Sequence, residues 1–187
     1  GCRLEEIGST TVSEFKDVGG VWCLDLSGRE KSRRRGAGHK GVKTEESRRL
    51  IPIHSRLITL GFRDYVAEVR SGNYTFVFPE LPHDPANREA STRNFGPWWG
   101  LWCRANAEHK GAGFDHPQKT FHSFRHSFIS ACRGVIDEEI RDFLVGHSNG
   151  DREGRNYGER YVQMLKAQLE KIDFPTFPLN ERIRPAD

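Results

Sequence analysis

His122-Ser123-Phe124-Arg125 puts an imidazole and a guanidinium three residues apart. Three residues is about one helical turn, so both side chains share a helix face. An imidazole can pass a proton near neutral pH. A guanidinium stays charged and grips an oxyanion with paired N–H donors. His147 follows Arg125 by 22 residues, in Leu144-Val145-Gly146-His147-Ser148, and Tyr157 comes ten later in Asn156-Tyr157-Gly158. A tyrosine between Asn and Gly sits outside any strong apolar pattern, so it is not an obvious core residue. Its hydroxyl is a possible nucleophile.

A second signal is charge. The 187 residues carry Lys+Arg 29 against Asp+Glu 26, a net of only +3. The excess is uneven: Arg29 to Arg49 holds nine Lys/Arg against three Glu, a net of +6, and the remainder is slightly acidic. A basic loop on a near-neutral body is the footprint of a phosphate-binding finger. A solvated loop is the competing reading, and a charge run by itself does not decide between them.

The elements that must hold these residues are legible in outline. Residues 2–7 read as the end of a helix. Gly20 to Leu26 is a β-rich run of alternating character, and Arg49 to Ile53 a second, whose Pro52 favours a sheet edge or strand end. Together they predict a β-hairpin with a long basic tip. Ser55 is placed to cap a helix reaching about Val69, and Thr75 to Phe78 reads as a third short strand. Ser91–Ala107 is an aromatic-rich helix. Phe121–Cys132 is another, Asp137 caps the next, which ends near Gly146-His147, and Val162–Ile172 is the last. The class is α+β, mostly helical with a small antiparallel sheet. The length fits one domain.

Several classes are excluded. No apolar run is long enough to span a membrane. Aromatic residues spread along the chain (12 Phe, 4 Trp and 4 Tyr) argue against disorder throughout. Cys2, Cys23, Cys103 and Cys132 form no C-x-x-C pair, so free thiols in a reducing compartment are expected. His83, His109 and His116 have no ligand spacing, and no metal site is expected.

Taken in order, the motifs resemble the catalytic domain of the tyrosine recombinases, the phage integrase family. HSFRHSF, LVGHS and a Tyr about ten residues after the His are similar to that family's signature. Gly1-Cys2-Arg3-Leu4-Glu5-Glu6 resembles its first arginine segment, and Lys43-Thr44 followed by Arg48-Arg49-Leu50-Ile51-Pro52 resembles its hairpin lysine and following strand. Tyr157-Gly158, Tyr161 and LEKIDFP resemble the ending of many integrases. The resemblance spans nearly the whole chain. It implies a catalytic domain over residues 1–173 and a tail over 174–187, without the N-terminal DNA-clamp domain the family usually carries. The chain then reads as cut from something longer.

The resemblance also implies roles. Tyr157 would attack a DNA phosphodiester and form a 3′-phosphotyrosine. Arg3 and Arg125 would clamp the non-bridging oxygens. His122 would assist removal of the tyrosine proton, His147 would donate to a phosphate oxygen, and Lys43 would protonate the departing 5′ oxygen. Glu6 would hold Arg3 or the local helix packing. Arg33, Arg34, Arg35, Lys40 and Arg48 would contact the DNA backbone. No cofactor or metal is implied, and the partners would be duplex attachment sites and, at synapsis, three further copies in a homo-tetramer. The implied setting is cytoplasmic, on bacterial or phage DNA. Lys31 and Lys40 compete with Lys43. Tyr161 competes with Tyr157, although packing with Met164 and Leu165 suits it better. Trp98, Trp99 and Trp102 read as packing, and Phe174 and Phe177 as tail anchors. A type IB topoisomerase and a degenerate DNA-binding module remain the alternative functions.

Overall fold

The computed structural model describes residues 1–29, 48–81, 95–105, 120–147 and 159–174. Within them the chain is mixed α+β, with one three-stranded antiparallel sheet ordered β1-β2-β3. The strands are β1 Phe15–Val18, β2 Val21–Asp25 and β3 Leu50–Pro52. The hairpin expected from 20–26 and 49–53 is the β2–β3 pair, with Cys23 opposite Pro52 and Asp25 opposite Leu50. Pro52 accordingly lies on an edge strand, where its missing N–H costs no ladder bond.

The third strand is not at Thr75–Phe78. Among the described residues that segment forms an isolated bridge, Phe76 opposite Thr11, with Val12 N–H donating to Thr75 O and Val77 N–H to Thr10 O. The third strand is β1, which precedes β2 through Gly19 and Gly20 at φ 58° and 79°. A Gly-Gly pair joining two strands is a hairpin signal, since both central residues of a type I′ turn need positive φ. Strand β2 is not a half-exposed alternating strand either. Trp22 and Leu24 face a core with Phe15, Tyr65, Val66, Val69 and Val77, while Cys23 turns to the other face with Leu50 and Val162. Both faces are covered, so three successive residues are buried.

The helix expected from Ser55 to Val69 is two helices, α2 Ser55–Thr59 and α3 Phe62–Ser71. Gly61, at φ 90°, turns the chain between them. The N-cap of α2 is His54, whose Nδ1 accepts from Arg56 N–H at 3.1 Å. Ser55 instead donates its N–H and Oγ–H to Glu170, at 2.8 and 2.5 Å.

Residues 2–7 are not the end of a helix: α1 is the short helix Leu4–Gly8, which starts after the extended N-cap residue Arg3. The remaining helices overlap their expected spans: α4 Phe95–Arg104, α5 Ser123–Cys132, α6 Glu138–Val145 and α7 Glu159–Leu169, the last ending at Leu169 rather than Ile172. Asp137 takes the N-cap position of α6, and Gly146 closes it in the left-handed region at φ 67°. A second core joins α5, α6 and α7 through Cys132, Ile140, Phe143, Leu144, Leu165 and Leu169. Tyr161 packs there against Phe143, but Met164 is exposed. Trp99 stacks on Phe95 in an aromatic cluster that also holds Trp102 and Phe121, while Trp98, stacked on Trp102, stays 51% exposed. Phe174 packs on His54 and Phe128; Phe177 lies outside the described residues. The four cysteines are free thiols. Among the described residues no helix is long and apolar enough to cross a membrane.

Candidate active site

Three separated stretches meet at one end of the α5–α6 pair. Arg3 is the residue before α1, His122 and Arg125 open α5, and His147 follows the end of α6. The contacts that join them are long-range. Arg3 Nη2 donates to Gly146 O at 3.3 Å, one residue before His147. Arg125 Nη1 donates to Gly1 O at 2.6 Å, two residues before Arg3. His122 takes the N-cap position of α5, and its carbonyl accepts from Arg125 N–H at 3.0 Å. Of the candidate catalytic residues, Arg3, His122, Arg125 and His147 are therefore brought together. Lys43 and Tyr157 lie outside the described residues, as do Arg33, Arg34, Arg35 and Lys40.

The electrostatics of this cluster are those of cations short of a counter-ion. Arg125 is 4% exposed, and its Nη2 is buried with no hydrogen-bond partner among the described residues. Burial and then the Arg3 charge push its pKa below the usual arginine value. Both histidines are pushed down as well. For His122 the causes are burial, then His126, Arg125 and Arg3. For His147 they are burial and Arg125, opposed by Asp142, with Arg3 adding to the depression. Asp142 Oδ1 lies 3.7 Å from His147 Nδ1. An exposed, neutral imidazole beside a buried guanidinium with an idle donor suits an anion that also exchanges a proton.

Glu6 does not serve mainly as the partner of Arg3. Its carboxylate accepts from Arg3 N–H at 2.7 Å and lies 3.4 Å from Arg3 Nη1. Its stronger partner is Arg49, with Nη1–Oε1 2.9 Å and Nη2–Oε2 3.1 Å. Burial would raise the Glu6 pKa, but the Arg49 hydrogen bonds and charge, joined by Arg3, bring it below the usual carboxylate range. Glu6 is thus a spent anion that leaves the Arg125 donor unanswered.

Two arginines counted among the loop charges are not solvent-facing. Arg49 is fully buried, and Arg29 is 8% exposed. Arg29 donates to Glu14 at 2.7 and 2.8 Å and to Glu6 O at 3.0 Å. The +6 of this stretch therefore overstates the free charge, because two of its nine cations are neutralised in ion pairs inside the fold. Arg48, also expected to contact DNA, is exposed and donates Nε–H to Arg29 O at 3.3 Å, joining the two ends of the loop.

Arg49 is what residue spacing missed. The signal was its place at the head of an apolar strand, Leu50-Ile51-Pro52, where a charged residue must be paired to be buried. No protein-family model, no curated protein and no solved structure matches the chain.

Proposed function

We propose that the chain is the catalytic domain of a tyrosine-type site-specific recombinase, cutting and rejoining duplex DNA through a 3′-phosphotyrosine. The observation that carries the reading is the idle, buried Nη2 of Arg125 among Arg3, His122 and His147. A buried donor of a charged group left without a partner costs free energy. A phosphodiester oxygen supplies that partner and the missing negative charge together.

In this reading Tyr157 Oη attacks phosphorus in line with the 5′ oxygen. The P–O5′ bond breaks, and the O–P bond to tyrosine keeps its energy for resealing. Negative charge on the non-bridging oxygens is met by Arg3 and Arg125, which stay protonated throughout. His122, depressed by burial and its cationic neighbours, is neutral near pH 7 and takes the tyrosine proton. His147 donates to a phosphate oxygen, and Lys43 returns a proton to the leaving 5′ oxygen. The exposed Arg48 and the basic residues Arg33, Arg34, Arg35 and Lys40 bind backbone phosphates. The motif order of the sequence, from Arg3 through Lys43 to Tyr157, supports the same assignment.

The test is covalent trapping. Nicked duplexes covering the DNA that flanks the protein's own gene are incubated with the chain and resolved under denaturing conditions. A protein–DNA adduct that disappears in Tyr157→Phe is expected. An adduct lost only in Tyr161→Phe moves the nucleophile. No adduct from the unmodified chain, together with retained DNA binding, overturns the catalytic reading in favour of a binding module. Relaxation of supercoiled plasmid by the monomer favours a topoisomerase instead.

A further inference from the structure

Arg49 reaches two parts of the site that are far apart in sequence. Its Nη1 and Nη2 form a fork onto both oxygens of Glu6, and its Nε–H donates to Leu144 O at 3.1 Å. The gripped carboxylate in turn receives Arg3 N–H and so holds the entry to α1. The gripped carbonyl belongs to the last turn of α6, where carbonyls have no intrahelical partner. Two residues on, Gly146 lies so close that a Cβ there would be 2.6 Å from Arg49 Nη1. His147 follows directly.

We propose that Arg49 is a positioning residue of the cradle, a buried clamp that fixes the Arg3 helix and the His147 turn in register so that both meet one anion. The identity of that anion rests on the phosphodiester reading above, whereas the clamp does not. Only a planar group with donors on three nitrogens can fork onto one carboxylate and still reach a carbonyl behind it. A lysine has the charge but one nitrogen.

Arg29 is the internal control. It is nearly as buried, forks onto Glu14 and donates to Glu6 O, so it braces the same helix α1. None of its hydrogen bonds goes to α6 or the His147 turn. Among the described residues, the charged groups facing His147 are Asp142 and Arg141 of α6, Arg125 of α5 and Arg3 ahead of α1. They make its imidazole a reporter of whether the turn is in place.

The experiment follows the His147 ring by NMR against pH in the unmodified chain and in Arg49→Lys, Arg49→Met and Arg29→Met, with a thermal melt of each. His147 titrates below the ordinary histidine value of about 6.5 in the unmodified chain. In both Arg49 variants it shifts up towards that value, as the turn swings into solvent. The shift in Arg49→Lys excludes simple loss of a cation. Arg29→Met lowers the melting temperature to a similar degree and leaves His147 where it was. An unmoved His147 in a folded Arg49→Lys, or an equal shift in Arg29→Met, overturns the proposal. If neither Arg49 variant folds, hydrogen exchange in the unmodified chain decides. Arg49 Nε–H is expected to be as protected as the His147 amide, and exchange at the rate of an exposed arginine overturns the clamp. None of these readouts uses DNA, so a failure to trap an adduct leaves the clamp standing, and the reverse.

Discussion

Arginines do opposite things in two neighbouring regions of this molecule. At the base of the basic loop, Arg29 and Arg49 are saturated: each forks onto a carboxylate and also donates to a carbonyl. In the cradle, Arg3 keeps a side chain 39% exposed, and among the described residues Arg125 holds one carbonyl and has an idle Nη2. Burial is similar for Arg125 and Arg29, at 4% and 8% exposed, so depth does not separate the two kinds. Partner count does. A saturated buried guanidinium holds the fold together; an unsaturated one is held ready for something the fold does not supply.

That contrast is breakable by stability measurements, in which the saturated pair must dominate. Arg49→Met takes the guanidinium fork from the buried Glu6, and Arg29→Met takes it from the part-buried Glu14. Each should cost about 3–5 kcal/mol in denaturant unfolding. A loss below about 1 kcal/mol in both would erase the distinction. Gly146→Ala comes next. It forces an L-residue to φ 67° and drives a Cβ to 2.6 Å from Arg49 Nη1. The backbone strain alone is about 1–3 kcal/mol, and the melt should recover part of the loss in the Arg49→Met background, where the clash is absent.

A smaller effect is expected at Glu170, which ties α7 to the start of α2. Burial would raise its carboxyl, but hydrogen bonds from Lys166 and Ser55 hold it down at about 2. A depressed carboxylate stabilises the fold above the ordinary range near 4.3 and loses that contribution as pH falls towards 2. Glu170→Gln should therefore cost about 0–1 kcal/mol at pH 7, since the pair is partly exposed. It should also flatten the acid limb of the stability profile below pH about 5. An unchanged acid limb removes Glu170 from the account. Arg125→Met should also change stability little, within about 1 kcal/mol of the parent, because losing the bond to Gly1 O is offset by removing a buried cation with an unpaired donor.

Much of this architecture is readable from residue spacing, and the misses have physical causes. The helix bearing His122 and Arg125 and the Gly146 stop before His147 follow from period and capping alone. Strand β1 is hidden because Lys16 and Asp17 are exposed and break the apolar pattern, although Gly19-Gly20 marks its turn. The α2–α3 break is hidden because Leu57, Leu60 and Phe62 keep a helical rhythm across Gly61. The convergence of Arg3, Arg125 and His147 is not local at all, since contacts over 124 and 143 residues depend on how the helices pack. Arg49 and Arg29 are misread as free charge because a basic run gives no sign of which members find a carboxylate.

The account turns on the cradle holding a phosphodiester, and the most direct measurement follows the His122 and His147 rings by NMR while thymidylyl-(3′→5′)-thymidine is added. Both imidazoles start depressed by burial and neighbouring cations. An anion seated on Arg125 and Arg3 adds the opposite charge, so both should titrate at higher pH when it binds. In Arg125→Met the two rings should start higher and no longer respond to the dinucleotide. Histidines that do not move in the unmodified chain, or that move equally in Arg125→Met, would contradict the account.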